Sequence, residues 1–212
     1  GVLGDVAEGA AGLIGKGAHA VADPAAKAAQ EGVSDAVKAI ANQIGSGGVS
    51  LVTLAIWYQK AEGAIADAWK SLKEGMTQSE FQGLIAQAHA RLGYPGYASA
   101  QTAEFSALPH GSIQPQVIKE GTIILIDGGC AVEGYQSDIS RTFVLGKATD
   151  KMKKVFDIEF AAQTAALKAA KPGVPCEAVD AAARKVIEDA GYGPGYNYFT
   201  HRVGHGMGMD GH

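Results

Sequence analysis

Hydrophobic residues recur at helical spacing in two long stretches of the chain, roughly residues 49–73 and 149–170. An apolar residue every three or four positions places these side chains on one face of a helix. The residues that mark the two faces are Ile65, Trp69 and Leu72 in the first stretch and Val155, Ile158 and Leu167 in the second. The pattern predicts one long helix in each stretch.

Each predicted helix is followed by a second one of similar sequence. "EGMTQSEF" at 74–81 begins a helix that runs to "LGY", and "PGVPCEAV" at 172–179 begins one that runs to "AGY". The glycines of the two units, 75 and 93 against 173 and 191, are offset by 98 positions. Solenoid repeats recur every 20–50 residues, so this offset favours a duplicated half-domain, whose second set of strands would end about 32 residues past His212.

Strand-like segments follow the first pair of helices, at Ala98–Phe105 and then in "GTIILIDGG" and "YQSDISRTFVLG". The last two are joined across "EG" at 133–134, which predicts a hairpin on a half-buried sheet. The hairpin should bring Asp127 and Asp138 toward one another. Neighbouring carboxylates resist burial unless a cation lies between them, although a lone Asp-Gly is more often a turn. Because both aspartates lie in strand-like runs, the sequence favours a cation site.

The N-terminal 48 residues differ in composition from the rest. Residues 1–48 are rich in Ala and Gly, with a helix predicted from Asp23 to Ile44. We interpret them as a helical N-terminal extension without chemistry of its own, and residues 49–212 as the folded domain. Glycine-rich segments bury little apolar surface, which is the basis for this division.

Composition and charge exclude several classes of partner. The 212 residues are 47% hydrophobic and carry a net charge of −4, so no basic face for nucleic acid or membrane lipid is expected. The longest apolar run, at 49–58, is about half of the ~20 residues that a membrane-spanning helix needs. Two cysteines, Cys130 and Cys176, do not form a disulfide framework. We therefore predict a cytoplasmic protein in which both thiols are buried.

Four of the six histidines lie in compact motifs. His110 is in "SALPHGS", and His201, His205 and His212 are spaced by four and seven positions in "HRVGHGMGMDGH". The glycines between them leave room for a ligand or metal ion to approach closely. A lone histidine would more often be a core or loop residue, but three in one segment favour a site. Carboxylates with imidazole suit manganese, iron, cobalt or zinc.

The three motifs "SALPHGS", "IDGG…GYQSDISRT" and "HRVGHGMGMDGH" occur together and in this order. The set resembles the pita-bread metallopeptidases, in particular their branch of Xaa-Pro aminopeptidases and Xaa-Pro dipeptidases (prolidases), over roughly residues 50–212. The resemblance implies an α+β fold with duplicated helix-helix-hairpin halves. The methionine aminopeptidase branch shares this fold, but "SDISRT" is more similar to the proline-directed branch.

The resemblance also implies roles for particular residues. Asp127 would bind one metal ion, Asp138 would bridge two, and His205 would bind the other. His110 and His201 would line the substrate site, and His212 would place the scissile carbonyl or move protons. The expected cofactor is two divalent ions, manganese first, then cobalt or zinc, and the expected substrate is a proline-containing peptide.

The sequence departs from the family pattern after His212. The family site has five protein ligands, of which the last two are glutamates that follow this position, so only three are found here. From these residues alone we expect weak or single-metal binding and little peptidase activity. The alternatives are a part of a working peptidase and a non-catalytic relative that binds peptides or proteins. An unpaired strand edge would also favour a homo-oligomer.

Overall fold

The computed structural model describes residues 63–132 and 134–211. The predicted extension at 1–48, its helix from Asp23 to Ile44 and the beginning of the first long helix lie outside the described residues. The elements in chain order are a helical segment at 63–69, α1 (Gln78–Arg91), β1 (Gly96–Thr102), a 3-10 turn (Ala103–Ala107), β2 (Ile123–Val132), β3 (Tyr135–Gln136), β4 (Ile139–Val144), α2 (Asp150–Ala169) and α3 (Cys176–Asp189).

Helix α1 begins where the sequence predicts it. Thr77 is the N-cap: its hydroxyl accepts from the Glu80 amide at 3.2 Å, and the Thr77 amide donates to the Glu80 carboxylate at 2.7 Å. This capping box satisfies two amides that the first helical turn leaves without partners. The hydrogen bonds to Thr77 also lower the pKa of the Glu80 carboxyl, since they favour its charged form.

The sheet is antiparallel, and β2 is its central strand. β1 pairs along one side of β2, and β3 and β4 follow one another along the other side. The predicted hairpin is therefore present, with Val132 opposite Tyr135 and Gly134 in the turn at φ +84°.

The predicted strand to Phe105 was too long. Ala103 adopts φ +53°, which ends β1 at Thr102 and begins the 3-10 turn.

One face of the sheet packs against the helical segment 63–69 and α1. Alternate residues of β2 point to this face, as strand geometry requires. The buried residues of this core are Ile65, Ala68, Phe81, Ile85, Ala100, Ile118, Ile124, Ile126 and Ile139, with Trp69 and Leu72 at its margin. Trp69 stacks on Phe143 of β4, with ring centroids 4.4 Å apart.

Helices α2 and α3 form a hairpin with a separate small core. The residues buried between them are small, namely Ala162, Ala166 and Ala183, so the two helices approach closely. Two of the apolar residues that mark α2 in the sequence, Val155 and Leu167, are exposed among the described residues. Helical spacing correctly indicated the helix, but alanines rather than the large residues make its buried contact.

The structure confirms the internal repeat over the second helix of each unit. α1 and α3 begin 98 positions apart (78 and 176) and end 98 positions apart (91 and 189). Both are followed by a glycine in the left-handed region, Gly93 at φ +84° and Gly191 at φ +89°. In both, the next residue donates its amide back to the helix, Tyr94 to His89 and Tyr192 to Ile187. These are the same C-cap motif in two copies.

His89 is a buried histidine that the sequence did not single out. Its side chain lies under Gly96, where a Cβ would overlap the imidazole ring. Within the described part of the chain, no group makes a hydrogen bond to its Nδ1. Burial lowers the pKa of the His89 imidazole below its ordinary value, because the charged form loses hydration.

This burial predicts a pH-dependent contribution to stability. Since the His89 pKa is lower in the folded than in the unfolded chain, the unfolded chain binds the proton first as the pH falls below about 6.5. The free energy of unfolding should therefore decrease from pH 7.5 to 5.5, whereas above pH 7.5 this effect is absent. The variant His89→Phe keeps a planar ring under Gly96 but does not titrate.

Urea unfolding of both proteins at several pH values measures the effect, because the other histidines contribute equally to each. As the pH falls, the unfolding free energy of the wild type should decrease relative to that of His89→Phe. A difference that is constant from pH 7.5 to 5.5 would contradict the prediction.

Candidate metal centre and substrate site

Asp127 lies on the face of the sheet that is turned away from the helices. It is paired with Ser99 of β1 and Ser140 of β4, so the three side chains form one row across the sheet. Ser140 Oγ donates to Asp127 Oδ1 at 2.8 Å and fixes the orientation of the carboxylate. The Asp127 side chain is exposed, on the open face of the half-buried sheet.

Asp138 lies just before β4 and near the same face. The pairing on either side of it, Ala131 with Gln136 and Gly128 with Ile139, continues in one register, which places Asp138 level with Gly129. A Cβ at Gly129 would overlap the carbonyl of Ser137. Glycine therefore allows the main chain that carries Asp138 to pass close to the central strand.

His205 approaches Asp138 from the glycine-rich C-terminal segment. His205 Nε2 lies 3.3 Å from Asp138 Oδ2, and its Nδ1 lies 2.8 Å from the carbonyl of Gly206. A hydrogen bond from Nδ1–H to that carbonyl would leave Nε2 as an acceptor that faces a carboxylate. Two facing acceptors need a cation between them, either a proton on His205 or a bound metal ion.

The donor set fits a divalent metal ion. Carboxylate and imidazole ligands bind one ion at about 2.0–2.2 Å, so two of them lie roughly 3 to 3.5 Å apart, as Asp138 and His205 do. Histidines that bind a metal ion through one ring nitrogen commonly donate the N–H of the second ring nitrogen to a carbonyl. In the described ranges, however, no three histidine, cysteine or acidic side chains are gathered around one point. The ligand set Asp127, Asp138 and His205 therefore stays a prediction, in which Asp138 and His205 are in contact.

The two predicted substrate-site histidines are in contact. The rings of His110 and His201 meet edge to face, with centroids 5.3 Å apart. His110 comes from the loop after the 3-10 turn, and His201 comes from the segment after α3, so the contact joins the two halves of the structure. His212, the third predicted catalytic histidine, lies outside the described residues.

A buried chain of glutamines holds the loop that carries His110. Gln116 Nε2 donates to Gln101 Oε1 at 2.7 Å, and Gln116 Oε1 accepts from the Thr102 amide at 2.7 Å. Gln101 Oε1 also accepts from the amide of Ser112, two residues beyond His110, at 2.8 Å. Gln78 of α1 completes the set, since its Oε1 accepts from the Gln116 amide at 2.8 Å. Hydrogen-bonded amides of this kind fix a loop because each lost partner would leave a buried polar group unsatisfied.

Sequence reasoning missed these glutamines and Ser140. Isolated glutamines have no diagnostic spacing, and their burial follows from tertiary contacts. The alternation of "DISRT" offered one weak signal, since Asp138 and Ser140 lie two positions apart and can share a strand face.

The two thiols were predicted to be alike, but Cys130 is buried whereas Cys176 is exposed at the first residue of α3.

The α+β architecture and the Asp138–His205 contact fit a metal-binding domain. The chain matches metallopeptidase family M24 over residues 24–212 and belongs to this family. It is 38% identical to the Xaa-Pro dipeptidase of Lactobacillus delbrueckii subsp. lactis over 141 residues, which is 66% of this chain and 33% of that protein. It is 41% identical to the Xaa-Pro dipeptidase of Pyrococcus furiosus over 107 residues, which is 50% of this chain and 30% of that protein.

Solved structures agree with this assignment. The prolidase from Pyrococcus furiosus has a TM-score of 0.67 at 32% identity, over 74% of this chain and 47% of that chain. The X-Pro aminopeptidase from Thermotoga maritima has a TM-score of 0.67 at 33% identity, over 73% of this chain and 44% of that chain. The fold thus corresponds to a little under half of these structures, and the chain spans about a third of the curated relatives' length. In the described part, no helix is long and apolar enough to cross a membrane.

Proposed function

We propose that this protein hydrolyses the peptide bond between an N-terminal residue and a following proline, using a metal-activated water. The observation that carries the proposal is the contact between Asp138 and His205, a carboxylate and an imidazole at the separation that two ligands of one ion require. The names of the relatives, which are Xaa-Pro dipeptidases and X-Pro aminopeptidases, support proline as the second residue.

The residues of this chain would divide the work between metal binding and substrate handling. Asp127, Asp138 and His205 would hold divalent metal. Divalent metal bound there would lower the pKa of a coordinated water and stabilise the negative charge that develops on the carbonyl oxygen.

The histidine pair would act on the substrate. His110 and His201 lie in contact at the junction of the two halves. An imidazole N–H from this pair would donate a hydrogen bond to the oxygen of the tetrahedral intermediate, while the proline nitrogen would gain the proton that the attacking water loses. The His110–His201 contact supports this role, because each ring limits the orientation of the other.

The contact between two of the predicted ligands sets the expected activity of the 212-residue chain. Asp138 and His205 are in contact, and such a pair of ligands favours one weakly bound ion over a tight pair. We therefore expect the 212-residue protein to bind at most one Mn²⁺ per chain and to cleave peptides slowly.

The test combines metal stoichiometry with long incubations followed by mass spectrometry. The purified protein is equilibrated with Mn²⁺, and bound metal is counted by elemental mass spectrometry. It is then incubated with Ala-Pro, Ala-Ala and Met-Ala-Ser, each with Mn²⁺ or with EDTA. Slow, Mn²⁺-dependent cleavage of Ala-Pro alone is the expected result. Preference for Met-Ala-Ser would favour the methionine aminopeptidase alternative. If no peptide is cleaved but Ala-Pro still shifts the imidazole NMR resonances of His110 and His201, the result would favour a peptide-binding module.

A further inference from the structure

The segment that carries His201 and His205 has no helix or strand among residues 193–211. Its main chain must therefore be held by other groups if the two imidazoles are to keep a defined position. An ion pair on α3, Asp180 with Arg184, makes four hydrogen bonds to its main chain.

Arg184 binds the segment through its whole guanidinium group. Nη1 donates to the carbonyls of Phe199 at 2.8 Å and Gly195 at 3.3 Å, and Nη2 donates to the carbonyl of His201. Its Cζ lies 3.9 Å from the ring centroid of Tyr196 and 4.4 Å from that of Phe199. Such use of a planar fork with several donors is possible for arginine and not for lysine.

Asp180 supplies the other half of the arrangement. Its Oδ2 accepts from Arg184 Nε at 2.5 Å, and its Oδ1 accepts from the amide of Val203 at 2.8 Å. The two side chains are only 22% and 12% exposed, so water competes little for these hydrogen bonds. One ion pair thus fixes the main chain at four positions from 195 to 203.

We propose that Asp180 and Arg184 are positioning residues for the substrate-site histidine His201. The His201 carbonyl is one of the groups that Arg184 binds, and the amide held by Asp180 lies two residues further on, at Val203. Together they hold the imidazole against His110, at a centroid separation of 5.3 Å. The pair acts through the main chain and does not contact the substrate. This assignment of a role rests on the proposed function, whereas the positioning of the ring does not.

Helix α3 offers a matched control one residue away. Lys185 and Asp189 form an ion pair with the same spacing of four, at 2.9 Å, but their side chains are 75% and 63% exposed. Lys185→Met removes a charge and an ion pair from the same helix without affecting the segment that carries His201. It should leave the imidazoles and the peptidase rate as in the wild type.

The variants are Arg184→Lys, which keeps the charge, and Asp180→Asn, which keeps the size. The first measurement is NMR on metal-free protein with labelled histidine. In the wild type and in Lys185→Met, a nuclear Overhauser effect should connect the rings of His110 and His201. In both test variants this effect should be lost and the His201 ring shifts should move toward those of a free histidine.

The second measurement is Ala-Pro hydrolysis with Mn²⁺. A misplaced group in an active site costs on the order of 100-fold, so kcat should fall about 10- to 100-fold while KM changes little. Arg184→Lys or Asp180→Asn protein that is folded and keeps the wild-type Overhauser effect and ring shifts would overturn the proposal. Because the NMR measurement needs neither metal nor substrate, an inactive wild type would count against the proposed function only.

Discussion

Replacement of Asp138 by asparagine is expected to weaken Mn²⁺ binding by about 100-fold or more. Loss of groups that only support a metal ligand costs 10- to 100-fold, and Asp138 is predicted to be a ligand itself. The substitution keeps the size of the side chain but removes the negative charge that faces His205. Isothermal titration with Mn²⁺ measures the affinity, and the increase in melting temperature at saturating Mn²⁺ measures it independently.

The matched control is Asp210→Asn. Asp210 is an exposed carboxylate in the C-terminal segment that carries His205. Its contact with Gly208 is made by the main chain, so the substitution preserves it. This variant should bind Mn²⁺ like the wild type. Without metal, both variants should unfold close to the wild-type midpoint, since exposed ion pairs contribute little. Equal affinity in wild type and Asp138→Asn would remove Asp138 from the metal centre.

Local patterns in the sequence predicted the elements of the fold well. The limits of α1 follow from the capping box at Thr77 and the glycine at 93, both of which are readable from the sequence. The repeat followed from the glycine spacing alone. The end of β1 could not be predicted, because it depends on the positive φ of Ala103. Alanine rarely adopts this conformation, so the residue type does not indicate it.

The site was only partly predictable, for a physical reason. Aspartate and histidine are few and chemically distinctive, so the residues that carry chemistry could be named. The groups that position them are common residues whose role depends on tertiary contacts. Gln101 and Gln116 reach the His110 loop from β1 and from a later part of that loop. Arg184 reaches the His201 carbonyl over 17 positions of sequence, and no local pattern indicates such a pairing.

Gly129→Ala is expected to destabilise the protein by about 3 kcal/mol, near the upper end of the range for overpacking. The added Cβ would overlap the carbonyl of Ser137, which is main chain and has no rotamer to change. Ser137 is also tied to β2: its amide donates to the Cys130 carbonyl at 2.9 Å, and its hydroxyl accepts from the Cys130 amide at 2.9 Å. Moving Ser137 aside would break these hydrogen bonds. Urea unfolding measures the loss.

Gly83→Ala is the control of opposite sign. Gly83 lies inside α1, and a Cβ there would meet nothing within 4 Å. Alanine is the better helix former, so this variant should be more stable than the wild type by about 0.5–1 kcal/mol. If Gly129→Ala were as stable as the wild type, the segment of Ser137 and Asp138 could shift at little cost. If it is destabilised as expected, the fraction that still folds should also bind Mn²⁺ more weakly, because Asp138 is carried by the displaced chain. The second glycine of "IDGG" would then serve the metal centre by its lack of a side chain.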